Sequence, residues 1–140
     1  MYYDVKMFER CIYFNSNAFV RRLNRIWDNA YKPTGLSAPH AYLLRLVCHE
    51  PGITQKEAGE HLKLEKSTIT RFVSVLEEHG LMSRYAGETG REVSLRATTA
   101  GQRLGKQLDE IGDALYKQMR KELGGKQFDE IVRLMSSGTT

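Results

Sequence analysis

Cysteine occurs twice, proline three times and tryptophan once in 140 residues. Two cysteines make no disulfide framework, and the chain needs none, because a chain of this length buries roughly two-thirds of its unfolded surface on folding. No apolar run approaches the roughly 18 residues of a membrane span, and Asp4, Lys6, Glu9 and Arg10 stand where a signal peptide would carry its apolar stretch. A cytoplasmic chain with no membrane partner is the expectation. His40, His49, His61 and His79 show no His-x-x-x-His spacing and the cysteines no Cys-x-x-Cys spacing, so neither a metal nor a cofactor is expected. No His–Asp pair, glycine-rich phosphate loop or pair of carboxylates stands out, so no catalytic residue is expected and the chain is read as a non-enzyme. Repeats, low-complexity tracts and a basic tail are missing as well.

What is present is an ordinary globular composition, 41% hydrophobic and 27% charged. The net charge of +4 permits a polyanionic partner without demanding one, and residues 51–96 carry equal numbers of acids and bases. Apolar residues recur at helical steps from Lys6 to Tyr31, which predicts one long helix ending at Lys32-Pro33-Thr34-Gly35. A second helix is predicted over Ser37 to His49, with Ser37 as N-cap. Thr54-Gln55-Lys56-Glu57 is a Ser/Thr-x-x-Glu capping box that opens a short third helix to about Leu62. A fourth runs from Lys66 to His79, stopped by Gly80.

From Leu81 the period changes. Leu81 to Tyr85 and Glu92 to Arg96 read as two strands around the polar tip Gly87-Glu88-Thr89-Gly90. A fifth helix is predicted from Thr98 to the Gly124-Gly125 break and a sixth from Lys126 to Met135, followed by a frayed tail, Ser136 to Thr140. The fold class is therefore mainly α with a small β-hairpin wing. Two short helices and a hairpin in this order form a winged helix-turn-helix, whose second helix enters the DNA major groove. The fourth helix suits that role. Ile69, Phe72, Val73 and Leu76 face inward, whereas Lys66, Ser67, Thr70, Arg71 and Ser74 face outward, with Thr68 at the edge. Hydroxyls suit phosphates, and an arginine spans guanine O6 and N7 with two hydrogen bonds.

Gly35-Leu36-Ser37, Pro51-Gly52-Ile53-Thr54-Gln55-Lys56-Glu57, Glu65-Lys66-Ser67-Thr68-Ile69-Thr70-Arg71, Leu76-Glu77-Glu78-His79-Gly80-Leu81, Gly90-Arg91 and Thr98-Thr99-Ala100-Gly101 together resemble the MarR family of bacterial transcriptional regulators. The resemblance implies a homodimer in which residues 1–35 and 98–140 form a helical dimerisation region and residues 36–97 the winged DNA-binding domain. It implies double-stranded DNA, a pseudo-palindromic operator, as partner, and usually repression. The DNA-binding set expected on that basis is Ser37, Thr54, Gln55, Lys56, Lys66, Ser67, Thr68, Thr70, Arg71, Ser74, Arg84 and Arg91. Two positions depart from the family pattern. Thr89 stands where the wing usually carries an Asp before the tip arginine, and Ala97-Thr98 replaces the usual Leu-Thr.

The resemblance also implies release by a small aromatic or phenolic anion or by cysteine oxidation. Cys11, beside Arg10 and within Cys11-Ile12-Tyr13-Phe14, resembles the N-terminal cysteine of the family's peroxide-sensing branch; the alternative is a small buried hydrophobe in a dimer seam. Trp27, Tyr31, His40 and Tyr42 surround the junction of the first two helices, either as an aromatic effector pocket or as core. Tyr13 completes the effector and redox candidates. The competing reading is a winged helix that binds protein instead of DNA, for which the outward face of the fourth helix should be apolar or acidic.

Overall fold

The computed structural model describes residues 5–139. A 3-10 segment, Val5–Arg10, leads into α1, Ile12–Tyr31, where the sequence predicted one continuous helix from Lys6. The helix breaks at Cys11, which is extended. The side-chain amide of Asn15 donates to the carbonyls of Phe8, Glu9 and Cys11 at 3.3, 3.0 and 2.8 Å, giving the broken turn its hydrogen bonds. Apolar spacing runs on across the break because the Phe8 and Phe14 rings still pack together, 6.0 Å apart. That is why periodicity alone did not reveal it.

After α1, a 3-10 turn at Lys32–Thr34 and a left-handed Gly35 turn the chain into α2, Ala38–His49. Ser37 holds the N-cap position, but its hydroxyl bonds to His40 Nδ1 instead of capping the backbone. Thr54 does cap α3, Gln55–Leu62, by accepting the Glu57 N–H. The turn into α4, Lys66–Glu78, is made by Lys63 in the left-handed region, at φ 55°. Gly80 at φ 71° ends α4, with the Leu81 N–H returning to Leu76 O at 2.9 Å. This bond explains why β1, Met82–Ala86, begins one residue later than predicted: the Leu81 N–H is already spent on the helix end. β2, Val93–Ala97, pairs with it antiparallel, Arg84 opposite Leu95. A short piece of chain before α3 lies against the other side of β2, with Gly52 N–H to Leu95 O and Leu95 N–H to Ile53 O, both 2.9 Å.

Thr98 caps α5, Thr99–Leu123, and also donates to Gly80 O. Gly124 breaks the chain before α6, Gly125–Ser137. Ser136 and Ser137, expected in the tail, are the last residues of α6, which Gly138 caps; Thr140 lies outside the described residues. No helix among the described residues is long and apolar enough to cross a membrane.

The core joins Leu43, Leu44 and Val47 of α2, Ile69, Val73 and Leu76 of α4, Leu95 of β2 and Leu108 of α5. α5 presents glycines to its neighbours, Gly101 to the turn before β1 and Gly105 and Gly112 to α2. A Cβ at Gly101 would collide with the Leu81 carbonyl oxygen, one at Gly105 would lie 2.7 Å from Cys48 Sγ, and one at Gly112 would meet the Arg45 guanidinium. In contrast, Val5, Ile12, Tyr13 and Phe14 at one end of the chain and Val132, Leu134 and Met135 at the other are exposed, Ile12 by 84%.

Gly101→Ala tests how closely α5 packs on the turn that leads into β1. Helix propensity alone would favour alanine by about 1 kcal/mol, yet the backbone carbonyl of Leu81 cannot swing aside as a side chain can. We expect a net loss of about 1–3 kcal/mol in urea denaturation, the usual cost of overpacking; a gain in stability would contradict the packing described.

Candidate nucleic-acid interface

The polar side of α4 divides into two sets. Lys66, Ser67 and Arg71 are exposed, whereas Thr68, Thr70 and Ser74 are half-buried. The Thr70 hydroxyl donates to Lys66 O at 2.9 Å and accepts from Gln55 Nε2 at 2.8 Å. The Ser74 hydroxyl donates to Thr70 O at 3.0 Å and accepts from Arg84 Nη2 at 2.5 Å. The same Arg84 nitrogen donates to Thr70 O at 3.0 Å, and Arg84 Nε lies 3.1 Å from Glu77 Oε1. Gln55, Thr70, Ser74 and Arg84 thus bind one another and tie α3, α4 and β1 together. Their polar atoms orient the face more than they extend from it.

The residues left to reach outward are Lys56, Lys66, Ser67, Arg71 and Arg91, all exposed, with Ser37 and Thr54 held in their local bonds. Lys56 of α3, Lys66 of α4 and Arg91 of the wing rim one groove of about 1000 Å3. Lys63, which sequence reasoning passed over, is on the same rim; only the left-handed turn brings it there. Glu57, Glu60 and Glu92 line the groove too, so its charge is mixed and not uniformly basic. At the wing tip the Thr89 hydroxyl accepts the Arg91 N–H at 3.4 Å. Gly87 N–H donates to Glu92 O at 2.8 Å, and Gly90 turns the chain at φ 74°. Thr89 therefore makes a loop contact of its own, in place of the carboxylate usual there.

The structure separates the effector and redox candidates. Trp27 Nε1 donates to the Tyr42 hydroxyl at 3.0 Å, and both rings line a cleft of about 740 Å3 between α1, α2 and α3, with Leu23, Leu62 and Leu64 and the polar Asn24, Asp28 and His61. Tyr31 is fully buried, its hydroxyl donating to Leu108 O and accepting from Arg45 Nη1. Burial first, and Tyr42 second, push its pKa above the ordinary tyrosine value. His40 turns away from the cleft to stack on Phe72 of α4, ring centroids 4.3 Å apart. Cys11 and Tyr13 lie at the other end of α1, about 24 Å from Trp27 along the helix axis at 1.5 Å per residue. No group of three His, Cys, Asp or Glu that could hold a metal occurs among the described residues.

One polar cluster was missed altogether. Arg45 Nε donates to Asp109 Oδ1 at 2.7 Å, and His49 Nε2 lies 2.8 Å from Asp109 Oδ2, across the α2–α5 seam. Burial alone would raise the Asp109 carboxyl, but the bonds from Arg45 and His49 outweigh it and hold the pKa below the usual value. The partners are too far apart in sequence for any local pattern to pair them. The one hint was an arginine in the middle of the apolar stripe of α2.

A helix-turn-helix followed by a two-stranded wing and flanked by long helices defines a winged helix-turn-helix protein. The profile described as the MarR family matches residues 34–91. The uncharacterized HTH-type transcriptional regulator YxaD of Bacillus subtilis is 32% identical over 133 residues, 89% of this chain and 90% of the relative. The chain belongs to the MarR family of transcriptional regulators. Among solved structures, CouR of Rhodococcus jostii RHA1 bound to p-coumaroyl-CoA is similar in fold at TM-score 0.80 and 23% identity, over 94% of each chain. The transcriptional repressor CouR bound to a 23-mer DNA duplex is similar at TM-score 0.87 and 15% identity, over 100% of each.

His40 makes the fold sensitive to acid. Burial of the ring first, and His79 second, lower its pKa below the usual histidine value. The unfolded chain therefore takes up a proton that the folded chain refuses, so stability is full above about pH 6.5 and falls as the pH drops toward the depressed value. Urea midpoints at pH 7.5 and 5.5 should show a loss that is smaller in His40→Gln than in the native protein. Equal losses would remove His40 as the cause.

Proposed function

We propose that this chain is a homodimeric, sequence-specific DNA-binding repressor, released from its operator by a small aromatic molecule in the cleft between α1, α2 and α3. The observation that carries the DNA reading is the common rim: cations from α3, α4 and the wing border one groove, as a surface that follows a phosphate backbone requires. The exposed Lys66, Ser67 and Arg71 of α4 do not suit the alternative of a protein-binding winged helix. The exposed apolar residues at both ends of the chain support the assignment of residues 1–35 and 98–140 to dimerisation and of 36–97 to DNA binding, since side chains such as Ile12 and Leu134 need a covering surface. A two-fold dimer sets its reading helices about one turn of DNA apart, roughly 34 Å. CouR, seen with DNA and with p-coumaroyl-CoA, supplies the precedent for both halves of the reading.

In this assignment Arg71 reads a base and Lys56, Lys66, Ser67 and Arg91 meet the backbone or minor groove. Ser37, Thr54 and Thr68 stand at the edge, and Gln55, Thr70, Ser74 and Arg84 hold the reading helix at its angle. A second route to release rests on Cys11. Both thiols are half-buried, but Cys11 stands at the N-cap of α1 whereas Cys48 packs against Gly105 of α5, its thiol pushed up first by burial and then by Asp109. That difference supports Cys11 as the thiol that an oxidant reaches.

Fluorescence anisotropy on the DNA flanking the protein's own gene, at two salt concentrations, tests the reading. Arg71→Ala should weaken binding by about 1–3 kcal/mol and blur one base position. Arg91→Ala should weaken binding across sequences and lower the salt slope by about one. The absence of any sequence-selective binding by the native protein would favour the protein-binding alternative. On the redox route, peroxide should release the native protein but not Cys11→Ser; equal release of both would sink it.

A further inference from the structure

We propose that the cleft between α1, α2 and α3 selects an aromatic ring bearing a positively charged ammonium group over an aromatic carboxylate. This rests on the cleft being the effector site, and it departs from the anionic ligand that the family resemblance suggested. The chemistry of the walls supports it. Trp27 and Tyr42 are locked to each other by the indole N–H bond to the Tyr42 hydroxyl, 3.0 Å, which presents two electron-rich rings at a fixed angle. Trp27 and Asp28 stand three and four residues after Asn24 on α1, and all three line the cleft. Asp28 has no ion-pair partner among the described residues.

No lysine or arginine lines this space. The Arg45 guanidinium lies 5.0 Å from the Tyr42 ring centre but is not part of the lining, and its charge is bonded to Asp109 at 2.7 Å. An entering carboxylate would lose water without gaining a cation, and it would face the charge of Asp28. An ammonium group gains that same charge beside the Trp27 ring, the better of the two cation acceptors, since Arg45 already lies over the Tyr42 ring. The ring it carries has Leu23, Leu62 and Leu64 to cover it. A cleft of about 740 Å3 lies within the range of roughly 300–1000 Å3 typical of small-molecule sites.

Trp27 is the only tryptophan in the sequence, so intrinsic emission reports on the cleft itself. The full chain is titrated at pH 8 with phenethylamine, 2-phenylethanol and 3-phenylpropanoate, following Trp27 emission and release of bound DNA. The amine should bind at least about tenfold more tightly than the carboxylate, with the alcohol between them. Asp28→Asn should shrink that preference by about threefold or more, the scale of a partly exposed charge pair. A carboxylate that binds as tightly as the amine, or an Asp28→Asn variant with an unaltered preference, overturns the charge selection while leaving the cleft as an effector site. Three compounds that neither shift the emission nor release DNA at millimolar concentration would overturn the effector site itself and the selection with it.

Discussion

Arg45 reaches from α2 to Asp109 on α5, and the two helices approach closely enough for that bond because α5 carries glycine where α2 presses hardest. An ion pair of this exposure contributes about 1 kcal/mol or less. Burial of Leu43, Leu44, Val47 and Leu108 contributes about 1.5–3 kcal/mol for each side chain. Packing therefore holds the seam together, while the charged pair, with His49 on the second carboxylate oxygen, fixes where along α5 the helix α2 sits. Since α2 carries the core against which α4 and β2 pack, the position of the whole reading side follows from that register.

A second set of polar bonds does for α4 what the seam does for α2. Arg84 leaves the wing to bind Thr70 O and Ser74 Oγ, and Gln55 leaves α3 to bind Thr70 Oγ. A helix that must be inserted at a particular angle needs such ties, because the apolar contacts of Ile69, Val73 and Leu76 resist separation more than rotation. The exposed cations then sit on a support whose orientation they do not themselves determine. This division of labour explains why polar residues of similar type on one helix, such as Ser67 and Ser74, end up in different surroundings.

Much of the fold was legible in the sequence, since helix ends rest on local chemistry. Gly80, Thr54, Thr98 and Gly124 mark ends that the structure keeps, and the order of helices and hairpin followed. The misplacements share a cause: a polar bond that periodicity does not encode. Asn15 breaks the first helix at Cys11, and the helix-end bond of Leu81 delays β1 by one residue. At the candidate sites, spacing placed residues on the correct face but could not say what they touch. Trp27 and Tyr42 came together as expected. Tyr31, next in line on the same helix, went into the core to meet Arg45, and His40 went to Phe72. Lys63 and Asp109 were invisible, the first because it depends on a left-handed turn and the second because its partners lie on another helix.

The short piece of chain that lies along β2 makes β2 the middle of three extended segments, with the start of α3 fastened to the wing through residues 52–54. The other end of α3 carries His61 and Leu62, which form a wall of the aromatic cleft. An eight-residue helix is a rod of about 12 Å. A displacement of Leu62 would be carried, one rod length away, to residues 52–54, which are bonded to β2 of the wing. α3 thus spans the whole distance between the aromatic cleft and the wing.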